Sequence, residues 1–281
     1  MNRITIPLKE FLALTALMFY NASADAATVT YSDGDLFLGF RASGGTGATQ
    51  TYLINIGQAS TYRDAATGSS MTISLGNISA DLASVYGGSW FNRGDLFWGV
   101  GGAVSGVVSA DPSNTLYASR EEPQAGTLAD AWLRRSNSAQ GTTVSKMQGL
   151  VSGYLNGSTS TANSNVSLIE NTSDPNNWAS FQPGGSNATG NISFGAFNPT
   201  VEGSFGGGVA GTALDLFRMT SSTTTGLPGD YEGTFTISNS GVVNFAVVPE
   251  PCALALFGVS AGLIGIGRRR ALARNTCGPL P

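Results

Sequence analysis

Histidine is absent from this sequence, and its two cysteines, Cys252 and Cys277, both lie near the C-terminus. Those absences exclude whole chemistries from the middle of the chain: no His-dependent triad, no His/Cys zinc site and no internal disulfide can be built there. A cysteine-free body is compatible with a periplasmic or surface location. Charge is scarce too, at 11% of residues, and it is unevenly placed. Between positions 27 and 247 the basic residues are Arg41, Arg63, Arg93, Arg120, Arg134, Arg135, Lys146 and Arg218, against 15 acidic ones. The middle is therefore acidic, and the remaining basic residues sit at the two ends. Phosphate binding rests on clustered Lys and Arg, which argues against a nucleic-acid partner.

Glycine is abundant, at 38 of 281 residues, and 41% of the chain is hydrophobic, enough for a core. Short apolar runs separated by Gly, Ser and Asn point to a mainly β fold: a single β-sandwich-like or jelly-roll-like ectodomain over 27–247 with one or two short helices. In Gly34-Asp35-Leu36-Phe37-Leu38-Gly39-Phe40 the alternation puts Leu36, Leu38 and Phe40 on one strand face and Phe37 on the other. The phrase returns at Gly94-Asp95-Leu96-Phe97-Trp98-Gly99-Val100, identical at five of seven positions, and is echoed at Leu214-Asp215-Leu216-Phe217. Two good copies suggest a strand duplicated into equivalent positions; they are too few for a solenoid or propeller. Further strands are expected at 52–56, 71–75, 104–108, 115–119, 166–169 and 192–197. A hairpin joins 234–237 to 242–247 through Ser238-Asn239-Ser240-Gly241.

Two segments have helical spacing. Asn77 can cap a helix to Gly87 with Ile78, Leu82, Val85 and Tyr86 on one face. Thr143 to Leu155 aligns Val144, Met147, Val151 and Tyr154, with Leu150 and Leu155 widening the stripe. The Ser/Thr/Asn-rich stretches 158–165, 174–191 and 220–225 read as surface loops.

The ends carry targeting patterns. Residues 1–26 place Arg3 and Lys9 before the apolar run Phe11 to Tyr20, followed by small residues in which Ala22, Ala24 and Ala26 define a cleavage region. That order is a secretory signal peptide. At the other end, Pro249 and Pro251 hold Glu250 in an extended, accessible tripeptide. The 16 residues Cys252 to Gly267 follow; as a helix they would span about 24 Å against a hydrocarbon core of about 30 Å. Arg268, Arg269, Arg270 and Arg274 then set the C-terminus on the cytoplasmic side.

Val248-Pro249-Glu250-Pro251, an apolar segment and an arginine cluster, taken together, resemble the PEP-CTERM sorting tail of exported proteins in exopolysaccharide-producing Gram-negative bacteria. The resemblance covers 248–281, and the Gly/Ser/Asn-rich body is similar to the ectodomains such tails accompany. It implies recognition by exosortase, a membrane-embedded cysteine transpeptidase, with processing at or near Pro249-Glu250-Pro251 and transient passage through the inner membrane on 252–267. The catalytic residues would belong to that partner. The chain departs from the usual pattern by continuing from Asn275 to Pro281 beyond the arginines.

Within the body, Asp33-Gly34-Asp35 and Asp174-Pro175-Asn176-Asn177 match only fragments of a calcium loop, so turn formation is the reading and no metal or cofactor is implied. Glu121-Glu122 is the only adjacent carboxylate pair. Neighbours on one strand point to opposite faces, so the pair reads as a solvated turn and not as the two facing carboxylates of a glycosidase. Trp90, Trp132 and Trp178 are candidate glycan contacts, because flat amphipathic rings stack on sugars. The expectation is thus a non-enzymatic exported protein, delivered to the cell surface or extracellular matrix and structural, adhesive or exopolysaccharide-associated. The alternative is a secreted carbohydrate-binding or carbohydrate-active protein, marked by paired carboxylates in a tryptophan-lined cleft.

Overall fold

A computed structural model of the chain describes residues 29–76, 78–157, 167–195, 197, 200–206, 213–221 and 225–248. The segment 1–26 expected as a signal peptide, Pro249-Glu250-Pro251, the apolar run 252–267, the four arginines after it and the expected cap Asn77 lie outside the described residues. Among the described residues there are ten strands: β1 (Asp35–Ala42), β2 (Gln50–Gln58), β3 (Ser70–Ile73), β4 (Leu96–Val104), β5 (Thr115–Glu121), β6 (Ser167–Asn171), β7 (Glu202–Ser204), β8 (Ala213–Met219), β9 (Asp230–Ile237) and β10 (Val243–Ala246). Among the described residues three α-helices accompany them: α1 (Ala59–Arg63), α2 (Ile78–Tyr86) and α3 (Asn137–Asn156). Short 3₁₀ turns stand at Trp90–Asn92 and Trp178–Phe181. Among the described residues no helix is long and apolar enough to cross a membrane.

The protein is mainly β, and every strand pair is antiparallel. The strands form one sheet in the order β3-β10-β9-β8-β5-β4-β1-β2-β6, with β7 pairing to β4 off this path. The fork has a simple cause. β4 pairs with β5 only over Gly101–Val104, and its first half pairs with β7 through Phe97, Trp98 and Gly99. The repeated phrases are direct neighbours: β1 runs antiparallel to β4 with Phe40 opposite Trp98 and Gly39 opposite Gly99.

Strict alternation gives the sheet two apolar faces. On one, Leu36, Leu38, Phe40, Tyr52, Ile54, Leu96, Trp98 and Val100 join Leu214, Leu216, Phe235 and Phe245 in a single cluster with α1, α2 and Trp90. On the other, Phe37, Leu53, Leu116, Ala118 and Phe217 pack against α3 and Trp178. The first cluster is continuous because the sheet curls. Tyr62 of α1, which follows β2 near one end of the strand order, sets its ring 5.2 Å from Phe235 and 5.1 Å from Phe245 near the other end. Its hydroxyl donates to Ile56 O at 2.6 Å.

The helical faces form as their spacing predicts, with Ile78, Leu82, Val85 and Tyr86 buried on α2 and Val144, Met147, Leu150, Val151 and Tyr154 on α3. Leu155 instead is exposed. Helix α3 begins before Thr143 because Ser136 caps it, its side chain accepting from Ala139 N. In place of the strand expected over 192–197, Ile192 bridges Thr189 and Ser193 bridges Phe197, and β4 stops at Val104, leaving Val108 to bridge with Asp111.

Candidate functional site

A pocket of about 320 Å³ lies beside the apolar cluster that packs α3 and Trp178. Its wall is the extended segment Ala131–Arg135, held alongside 226–229 by backbone bonds from Arg134 N to Leu227 O, Gly226 N to Arg134 O and Gly229 N to Trp132 O. Extended backbone alternates, so Trp132 turns inward while Leu133 and Arg135 face out. The Trp132 indole donates to Ser119 O at 3.0 Å and packs on Phe197. Arg120 of β5 lies over the same indole, its guanidinium carbon 4.9 Å from the ring centroid, and donates to Asp130 O at 2.8 Å.

Gln140 of α3 anchors the far side. Buried at 1% exposure, it accepts from Arg135 N at 3.0 Å and donates to Asn114 O and Met219 O. Leu116, Met219 and Phe197 make the apolar floor, and Asp130 is the one carboxylate among the lining residues.

The charge arrangement sets this pocket apart. Among the described residues Arg41, Arg63, Arg93, Arg134 and Arg218 each close on a carboxylate within 4.0 Å, whereas Arg120 and Arg135 do not. Arg120 stands opposite Asp215 in the sheet, but that carboxyl instead accepts from Ala129 N at 2.7 Å and Thr234 Oγ1 at 2.6 Å.

A second surface feature surrounds Arg41, where two depressions of about 430 and 390 Å³ both include Arg41 and Pro183. Here the arginine is already neutralised. Its Nε meets both carboxylate oxygens of Glu202 at 3.0 and 2.8 Å, and Trp178 Nε1 donates to Glu202 Oε1 at 2.7 Å. The Asp111 carboxylate is likewise consumed, by Arg218 Nε at 2.6 Å, Arg63 Nη1 at 2.7 Å and Tyr117 Oη at 2.8 Å.

Several carboxyls are buried with incomplete compensation. Burial pushes Glu170 up to about 8, helped by the charge of Asp174; Thr51 reaches Oε2 only at 3.5 Å, and Oε1 has no partner among the described residues. Burial likewise raises Glu232 to about 7, against the opposing pull of Arg218. Glu122 and Asp215 are raised chiefly by burial, and the charge of Asp215 adds to the rise at Glu122.

The sequence candidates fall out as follows. Trp90 and Trp178 are core residues, packed edge-on against Phe205 and tilted on Phe194, so neither offers a ring face to a sugar. Trp132 does line a pocket, but Arg120 covers its face. Glu121 and Glu122 point apart as the alternation requires, Glu121 toward Ser204 N and Glu122 toward Gly126 N and Asp215. They are not a solvated turn, because β7 and β8 bury them. Asp33 accepts from Ser105 N and Gly106 N, and Asp35 from Ser32 N and Asn55 Nδ2, so both lock turns. Among the described residues no three Asp, Glu, His or Cys gather as a metal site. The stretch 174–191, expected as a surface loop, buries Asn177, Trp178, Phe181 and Gln182, with Trp178 and Phe181 in the cluster against α3. Sequence reasoning missed Arg120 and Arg135. Their signal was available in Arg134-Arg135 beside Trp132, a dense basic spot in an acidic body.

Fold and site together define a curled antiparallel β body with a basic pocket walled by Trp132. Compared with known proteins, the chain matches no family model, no curated protein and no solved structure.

Proposed function

We propose that the chain is an exported cell-surface or extracellular-matrix protein, sorted by exosortase through its Pro-Glu-Pro tail. Its sandwich-like β body serves as a structural, adhesive or exopolysaccharide-associated component. The observation that carries the reading is the ordered tail: Pro249-Glu250-Pro251, an apolar run and four arginines, beginning directly after the body completes its sheet at Ala246. A transpeptidase needs extended, accessible peptide, and a motif set just beyond the last strand would meet that need without unfolding the body. The arginines would hold the C-terminus on the cytoplasmic side while the motif is processed.

The rival reading, a carbohydrate-active enzyme, asks for two carboxylates across a tryptophan-lined cleft. In the Trp132 pocket the lining supplies Asp130 alone, with two arginines, which favours binding over hydrolysis.

The test is expression of the full chain with and without a co-expressed exosortase. Wild type is expected to shorten and leave the inner membrane only when the enzyme is present, and Glu250→Ala to remain full-length and anchored. Identical size, anchoring and release for the two proteins would refute the sorting reading.

A further inference from the structure

The basic pocket has a ligand chemistry of its own, argued independently of the sorting reading. We infer that the pocket formed by Arg120, Trp132, Arg135 and Asp130 binds a sugar ring carrying one oxyanion, a carboxylate or a sulfate ester.

Charge is the first argument. In a body where acidic residues outnumber basic ones, a guanidinium normally finds a carboxylate, and five arginines of this protein do. Arg120 and Arg135 are left uncompensated on one pocket, with Asp130 the single opposing charge in its lining, so the pocket carries a net charge suited to one anion. Guanidinium forks bind planar oxyanions through paired hydrogen bonds, and those bonds are the strong ones.

Pre-organisation is the second. Arg120 is restrained by the Trp132 ring and by Asp130 O, which leaves its other N–H groups free to donate. Arg135 has its backbone pinned by Gln140, whose own amide is tied to β5 and β8 ends through Asn114 O and Met219 O. The Arg120 guanidinium therefore enters binding already ordered, whereas Arg135 offers a fixed backbone and an exposed side chain that closes on the anion.

Shape and lining decide the rest of the ligand. At about 320 Å³ the pocket lies at the small end of the roughly 300–1,000 Å³ typical of ligand sites, room for one ring-sized group. Leu116, Leu133 and Phe197 offer apolar wall to the C–H face of a ring. Asp130 adds an acceptor, which repels a second anion and suits a hydroxyl. One oxyanion, one C–H face and neighbouring hydroxyls that can donate to a carboxylate at the pocket's edge together describe an acidic sugar.

The test uses the full chain purified in mild detergent, titrated calorimetrically with oligogalacturonate, with a sulfated galactose oligomer and with a neutral galactose oligomer. At least one anionic oligomer is expected to bind and the neutral one not; the tighter of the two anionic probes identifies the oxyanion. Arg120→Gln and Arg135→Gln should each weaken that binding about tenfold, the loss of one charge-assisted contact, and Arg135→Lys should recover part of it. Arg135 is exposed and unpaired, so Arg135→Gln should melt at the wild-type temperature and separate loss of binding from loss of fold. Equal binding of the neutral oligomer, absence of binding by both anionic oligomers, or full affinity in the Arg120→Gln/Arg135→Gln double variant would each overturn the assignment.

Discussion

Gly39 of β1 and Gly99 of β4 lie directly opposite each other in the sheet, and the indole of Trp178 rests on the pair. A Cβ at Gly39 would fall 2.1 Å from a ring carbon of Trp178, and one at Gly99 would fall 2.8 Å from Val201 O. The glycines therefore make room for a close approach. They also occupy equivalent positions of the repeated phrase, so the local two-fold relation between β1 and β4 passes through the surface that Trp178 covers.

Gly39→Ala should consequently destabilise the protein by about 3 kcal/mol or more, the upper range for overpacking a core. Gly88→Ala, where an added Cβ meets nothing within 4 Å, should change stability by less than about 0.5 kcal/mol. Urea unfolding followed by tryptophan fluorescence measures both, and a tolerated Gly39→Ala would show that Trp178 does not sit on this surface.

The ion pair beneath Trp178 gives an asymmetric prediction. Glu202 has no exposed side-chain surface, whereas Arg41 keeps 17% of its own. Arg41→Ala leaves a buried carboxylate uncompensated and should cost about 3 kcal/mol or more. Glu202→Gln keeps an acceptor for Trp178 Nε1 and leaves a guanidinium that can turn toward water, so its cost should be smaller, about 1–2 kcal/mol. The ordering of the two midpoints in denaturant is the check.

Stability should fall as pH rises from about 4.5 to about 8. Glu170 has its folded-state value raised from 4.5 to about 8 by burial, so the folded protein holds that proton more tightly than the unfolded chain does. The associated stability is fully present below the unfolded value and is lost as pH rises through the folded one. Glu232, raised to about 7, acts in the same direction over an overlapping window. Asp64 and Asp95 are shifted the opposite way by their arginine partners, but their window lies below the usual aspartate value. Thermal melts at pH 5 and pH 8.5 should differ in that sense, and Glu170→Gln should flatten the difference by on the order of 3 kcal/mol.

Tyr62 holds the curl. Tyr62→Phe removes only the bond to Ile56 O and should cost about 1 kcal/mol. Tyr62→Ala also empties the contact with Phe235 and Phe245 and should cost about 3–5 kcal/mol, the range for deleting a buried aromatic side chain. Hydrogen exchange should then quicken in β9 and β10 before it does in β1 and β4, whose pairing does not depend on α1.

Much of this protein was legible as a sequence because its elements announce themselves locally. Period-two alternation in 36–40 and 96–100 assigned the faces of β1 and β4 correctly. Helical spacing found the buried stripes of α2 and α3, and Ser238-Asn239-Ser240-Gly241 marked the β9–β10 turn. Those signals depend on neighbours within a few residues, where backbone geometry alone decides which side chains share a face.

Only the tertiary structure decided which strands meet, that they join one curled sheet with apolar layers on both faces, and that a Ser/Asn/Gly-rich stretch is core around Trp178. It also decided which arginines are spent. Arg41, Arg63 and Arg218 find carboxylates 161, 48 and 107 positions away, while Arg120 and Arg135 are left open beside Trp132. Arg63–Asp64 and Arg93–Asp95 are neighbours in the chain, but the pairs of Arg41, Arg218 and Arg63 with Glu202 and Asp111 are long-range contacts, which no local pattern encodes.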